Sequence, residues 1–206
     1  MTDLYISDLM YDPNSAVAEF FTFIGETPAI AAALFALLSP LVLLKRFRIP
    51  DTKRELILRF ALQTALSLTL SVAAVYAIKH FWGRIRYVDL KSAADFTPWY
   101  SPGAAGTGDS FPSGHAAMAA LGFLPFVYLQ YTGSRLRYLA FALAAAFTAA
   151  VAFSRIVLGA HYLSDVTAGI AITAISLILS GVVVPKRLKA PKNTPRGGKT
   201  VPDNSR

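Results

Sequence analysis

The 206-residue chain contains no cysteine, which excludes disulfides, thiolate metal sites and a thiol nucleophile. Charge is scarce: 16% of residues are Asp, Glu, Lys or Arg, against about 25% in a typical soluble domain. The apolar share is high, 54%, and mean hydropathy is +0.47. That balance excludes a disordered chain and argues against a soluble globule. There is no acidic cluster of the kind that holds magnesium, and no internal repeat. The N-terminus lacks the basic region and early apolar core of a signal peptide. What charge remains is mostly basic, 20 Lys and Arg against 12 Asp and Glu, a net +8. A basic balance serves either nucleic acid or the cationic ends of a membrane protein. The placement of the charges decides for the bilayer, and no nucleic-acid partner is expected.

Five stretches are long, apolar and almost free of charge, at about 27–45, 58–78, 114–131, 136–153 and 164–184. A spanning helix needs roughly 17–25 such residues, and backbone in hydrocarbon must satisfy its own hydrogen bonds. The expectation is an all-α, polytopic membrane bundle of five or six transmembrane helices. Residues 1–185 are expected to form one membrane domain, with 1–26 as an outer-surface segment. Residues 14–25 could lie on the membrane as an amphipathic helix or belong to a sixth span. Residues 186–206, rich in Lys, Pro and Gly, are expected to be a disordered cytoplasmic tail.

Lys and Arg concentrate in three segments that fall on one side if five helices alternate. They are Lys45, Arg46, Arg48, Lys53 and Arg54; Arg135 and Arg137; and the tail. That side is the expected cytoplasm. The acidic first 26 residues and the links 79–113 and 154–163 then lie outside.

The remaining charges gather at the outer helix ends, where ionisable groups are costly and usually functional or paired. Lys79 and Arg86 are two turns apart, so a continued helix puts both on one stripe; interfacial snorkelling is the bland alternative. The run PSGH, Pro112 to His115, caps a helix with Ser113. Its first-turn amides suit an anion, Gly114 allows close approach, and His115 stands beside them. In SRIVLGAHYLSD, Arg155 closes one helix, and His161 and Asp165 share a face of the next. A carboxylate on one imidazole nitrogen leaves the other as nucleophile or base. Two imidazoles, several cations and a helix start together suit a bound phosphate. Zinc on His, His and Asp is a poor competitor beside Lys79, Arg86 and Arg155. Arg84 reads either as an extra phosphate contact or as a snorkelling cation. The loop 87–111, with Phe96, Trp99 and Tyr100, reads as a lipid entry, a cover or an aromatic interfacial belt.

Lys79-x6-Arg86, PSGH and Ser154-Arg155-x5-His161-x3-Asp165 resemble, in order, the three signature motifs of the type 2 phosphatidic acid phosphatases. The first departs at Tyr87, where the family usually has proline. The resemblance implies a metal-independent, cofactor-free membrane phosphatase, often of six spans, acting on a phosphorylated membrane lipid through a phosphohistidine. It makes His161 the nucleophile, Asp165 its orienting carboxylate, and His115 the acid for the leaving alcohol and then the base for water. Lys79, Arg86, Ser113, Gly114 and Arg155 hold the phosphate. The expected setting is a bacterial inner membrane with an extracytoplasmic site. The motifs read phosphate rather than lipid, so phosphatidic acid, phosphatidylglycerol phosphate, a polyprenyl pyrophosphate and a lipid A phosphate all stand as substrates. Competing readings are a lipid phosphotransferase, the soluble vanadium haloperoxidases that share this site, and an anion transporter.

Overall fold

The computed structural model describes residues 2–43, 49–103 and 106–184. Those residues form eight α-helices and no strand: α1 (Thr2–Met10), α2 (Ala16–Ile24), α3 (Thr27–Leu38), α4 (Asp51–Trp82), α5 (Gly114–Ala120), α6 (Leu124–Thr132), α7 (Leu136–Val157) and α8 (Leu163–Val183). The tail and Lys45, Arg46 and Arg48 lie outside the described residues.

The apolar stretches become helices with three departures from the sequence reading. The first reaches back to residue 16. Gly25 and Glu26, between α2 and α3, keep right-handed helical dihedrals. Ala16–Leu41 thus forms one apolar 26-residue run long enough to cross a bilayer. Glu19 stands in the first turn of α2, where a helix favours negative charge, and Glu26 is the residue before α3, so neither breaks the helical path. The second stretch becomes the 32-residue α4. At 1.5 Å per residue it is about 48 Å long, well beyond a roughly 30 Å hydrocarbon core, so its ends reach past the membrane. Gly83 stops it in the left-handed region, at φ 62°, which glycine adopts at little cost. The third stretch is broken: a 3-10 turn over Leu121–Phe123 separates α5 from α6. Pro125 lies in the first turn of α6, where its missing N–H goes unneeded but would break a continuing ladder.

The helices associate through small and polar side chains, as expected where lipid removes the hydrophobic drive for helices to pair. Gln63, Ser67 and Ser71 of α4 and Thr173, Ser176 and Ser180 of α8 are buried. Ser67 and Ser180 share a 2.6 Å hydrogen bond, and Thr173 donates to the Ala117 carbonyl of α5 at 2.9 Å. These polar midspan residues were not anticipated. The hydroxyls of Ser67, Thr173, Ser176 and Ser180 are taken up by backbone carbonyls and by each other, which makes them a packing seam.

One contact sets the position of α5. A Cβ on Gly169 of α8 would lie 2.3 Å from the Ser113 carbonyl oxygen, so only glycine admits the start of α5 so close. Gly169→Ala is expected to cost roughly 1–3 kcal/mol by overpacking. The check is thermal unfolding of the detergent-purified protein, and an unchanged melting temperature would contradict the close approach.

Candidate active site

Lys79 sits on the last turns of α4. Beyond Gly83 the chain extends through Arg84 and Arg86, and Gly103 and the segment 106–110 pair alongside it. Gly103 N–H donates to the Trp82 carbonyl at 2.9 Å, and Ser110 N–H to the Arg84 carbonyl at 2.9 Å. The Thr107 hydroxyl donates to the Gly83 carbonyl at 2.7 Å. At Gly108 a Cβ would lie 2.3 Å from the Arg84 carbonyl oxygen, so this pairing also requires glycine. The returning segment delivers Asp109, Ser110 and then PSGH. Ser113 caps α5, its hydroxyl accepting the Ala116 N–H at 3.4 Å.

These segments and the facing ends of α7 and α8 enclose a cavity of about 410 Å³ at one end of the bundle, walled by Glu26, Lys79, Arg86, Asp109, Gly114, His115, Arg155 and His161 among others. Ser113 and Asp165 are wholly buried and stand behind the wall. A second, apolar groove of about 360 Å³ lies between α3, α4 and the α5–α6 break. It is lined by Pro28, Ala32, Phe35, Phe60, Leu121 and Tyr128, among others.

The His161 ring is fixed mainly by a residue the sequence reading did not single out. Its Nδ1 lies 2.7 Å from the Ser110 carbonyl oxygen and 3.8 Å from Asp165 Oδ2. A carbonyl only accepts, so this contact puts the proton on Nδ1 and leaves a lone pair on Nε2. Burial lowers the pKa of His161 to about 4; Asp165 opposes the shift, and Lys79 and Arg155 add to it.

Asp165 stands in a hub behind the ring. It accepts the Ser110 hydroxyl at 2.5 Å and the Tyr162 N–H at 2.9 Å, and it pairs with Arg84. Arg84 is neither a phosphate contact nor a snorkelling cation. It is 1% exposed, pairs with Asp3 of α1 at 2.9 Å, donates to the Thr97 carbonyl at 2.9 Å and lies 4.1 Å from the Tyr162 ring centroid. Phe96 of the long loop packs edge-on against Tyr162 at 5.3 Å, whereas Trp99 and Tyr100 are exposed. Tyr87, in the place of the family proline, donates its hydroxyl to Asp8 of α1 at 2.7 Å.

Two carboxylates enter the cavity that the sequence reading did not assign to it. Asp109 binds Arg86 through both oxygens at 2.8 Å and lies 3.9 Å from Lys79. Burial alone would raise its pKa, but the Arg86 hydrogen bond and the charges of Lys79 and Arg86 outweigh that and keep it low. Glu26 lies 3.5 Å from His115 Nε2. Arg155 donates to the Thr22 hydroxyl at 3.0 Å, and its buried Nε has no hydrogen-bond partner among the described residues. Those residues contain no group of three His, Asp or Glu arranged to hold a metal ion.

The long apolar helices make this an integral membrane protein. Its fold is similar to that of the transmembrane PAP2-type phosphatidylglycerolphosphate phosphatase from Bacillus subtilis. The TM-score is 0.51 at 20% identity, over 87% of this chain and 83% of that one. At that identity the likeness is one of fold. No curated protein matches the sequence. The family model of the PAP2 superfamily matches residues 60–189, a stretch that takes in Lys79, Arg86, Ser113, His115, Arg155, His161 and Asp165, and the chain belongs to that superfamily.

Proposed function

We propose that the protein is a metal-independent lipid phosphatase that cleaves a phosphomonoester or pyrophosphate headgroup through a phosphohistidine. The observation that carries this reading is one cavity lined by two imidazoles and by Lys79, Arg86 and Arg155, in a bundle that also holds an apolar groove. The cations and the Gly114 amide neutralise the phosphoryl oxygens, and Ser113 holds the start of α5 in place. Nε2 of His161 attacks phosphorus, and the bond from phosphorus to the leaving oxygen breaks. His115, 3.5 Å from Glu26, gives its proton to that oxygen; burial and the Arg155 charge lower its pKa, which favours giving the proton up, and Glu26 opposes that shift. His115 then takes a proton from water, whose oxygen bonds to phosphorus as the phosphorus–nitrogen bond breaks; phosphate leaves and the Nε2 lone pair of His161 is restored. Asp165 steadies Ser110 and, through it, His161. The groove takes the hydrocarbon chain, so the substrate remains in the bilayer.

Phosphate release from phosphatidic acid, phosphatidylglycerol phosphate, undecaprenyl pyrophosphate and lipid A phosphate, each with and without EDTA, tests the reading. Turnover of at least one lipid phosphate, unaffected by the chelator, is expected. Transfer of the phosphoryl group to a second lipid without free phosphate would favour the phosphotransferase. Turnover lost in EDTA and restored by a divalent ion would overturn the metal-free step.

The membrane domain is proposed to lie in a bacterial inner membrane with the cavity facing outward, because the basic links and tail favour the cytoplasm. A cysteine introduced at Gly106 should react with an impermeant maleimide on intact cells, and one at Lys192 only after lysis. The reverse pattern would invert the topology.

A further inference from the structure

A cup of three cations beside a bilayer meets a large excess of the wrong anion. Bulk phospholipids are phosphodiesters and carry one negative charge on phosphorus. A phosphomonoester has a second pKa of about 6 and carries close to two charges at neutral pH. Charge therefore separates the substrate class of the proposed reaction from the surrounding lipid, and the structure holds a group that can read it.

That group is Asp109. Its carboxylate covers Arg86 in a bidentate pair and stands 3.9 Å from Lys79, so it occupies part of the surface a phosphoryl group would use. We propose that Asp109 is a specificity-determining residue, an internal anion that a doubly charged phosphoryl group displaces and a singly charged phosphodiester does not. The inference rests on the phosphate-site reading above.

The argument is an exchange of charges. A monoanion that replaces a carboxylate on Arg86 gains no net attraction, and the expelled carboxylate, tethered to the same loop, stays close enough to repel it. A dianion gains one further unit of attraction to Lys79, Arg86 and Arg155. Selectivity then comes from an element set against the wrong ligand as much as from contacts with the right one.

The local structure allows the exchange. The Asp109 side chain is 59% exposed and has Gly106 and Gly108 on one side. Lys79 is tied to the backbone carbonyl of Asp109, so the carboxylate can swing out while that lysine stays anchored. Ser110, next in the chain, is buried and held by Asp165 and the Arg84 carbonyl, so the movement need not disturb His161.

The test uses the full-length protein in detergent and two ligands that cannot be hydrolysed. These are dodecylphosphonate at alkaline pH, where it is a dianion, and its monomethyl ester, a monoanion of the same chain. Calorimetric titration of the unaltered protein should show the dianion bound about tenfold tighter or more. In Asp109→Asn the ester should gain about tenfold in affinity, which narrows the ratio. Asp109→Glu, which keeps a carboxylate, should still reject the ester. Unchanged ester affinity in Asp109→Asn would overturn the proposal. So would weaker binding of both ligands, since Asp109 would then only be holding Arg86 in place. Failure of the unaltered protein to bind the dianion is a different result, and it would remove the phosphate-site reading itself.

Discussion

His161→Ala is expected to lower lipid-phosphate hydrolysis by about four orders of magnitude or more, the scale seen when a covalent nucleophile is removed. In the proposed reaction the ring makes the bond to phosphorus, and no cysteine exists to replace it. His115→Ala should also abolish turnover, but with a different signature. If His115 protonates the leaving alcohol and then activates water, its loss slows both steps, and a substrate with a good leaving group such as para-nitrophenol should still phosphorylate His161. Acid-labile, base-stable phosphate on the protein is therefore expected in His115→Ala and absent in the double variant. Full activity in His161→Ala, with the fold intact, would refute the assignment.

The protonation state of His161 supplies an independent check. The imidazole attacks only when neutral. With its pKa lowered to about 4 by burial, it is neutral throughout the physiological range and charges only as pH falls through that value. An ordinary histidine, at about 6.5, would already be half protonated in a mildly acidic medium. The chain has three histidines, so nitrogen-labelled histidine in a His80→Gln/His115→Gln background reports on one imidazole. It should titrate near 4, and titration near 6.5 would mean that water reaches the ring. Stability carries the same sign. The unfolded chain binds the proton at higher pH than the folded one, so this residue's contribution is present above about 6.5 and is lost progressively down to about 4.

The helices were legible because their apolar runs are long and uncharged, and the motif residues because they are the charges that topology leaves unexplained. Lys79, Arg86, His115, Arg155 and His161 do meet in one cavity. Other features were hidden for physical reasons. Asp3 and Glu26 looked like part of an acidic outer segment, because sequence gives their sign and not the fold that turns them toward Arg84 and His115. Ser110 acts on His161 through its backbone carbonyl, which every residue has, so no side-chain pattern could mark it. Asp109 sits four residues before Ser113 in a loop whose return path only the pairing with Gly83 and Arg84 reveals. The break at Leu121–Phe123 was foreshadowed by Pro125, which hydropathy counts as ordinary.

Arg84 and Arg86 are two residues apart and should respond in opposite ways to replacement. Arg84→Ala is expected to cost roughly 3–5 kcal/mol, the usual penalty for leaving a buried charge uncompensated. Arg84 joins Asp3 and Asp165, and Asp165 has no exposed surface. Lysine should recover only part of this. It keeps the charge but lacks the planar fork that reaches Asp3, Ser164, Asp165 and the Thr97 carbonyl while lying over Tyr162. Adding Asp3→Asn to Arg84→Ala removes one of the stranded charges and should restore some of the lost stability; a strictly additive loss would show that the pair is not coupled. Arg86→Ala breaks a partly exposed pair with Asp109, worth about 1 kcal/mol or less, so thermal unfolding should barely move while phosphonate affinity falls. If Arg84→Ala were as stable as the unaltered protein, the buried hub joining α1 to the site would be wrong. If Arg86→Ala bound phosphonate normally, the cavity's cations would not be its anion site. The two arginines thus separate what holds Asp165 and His161 in place from what holds the phosphate.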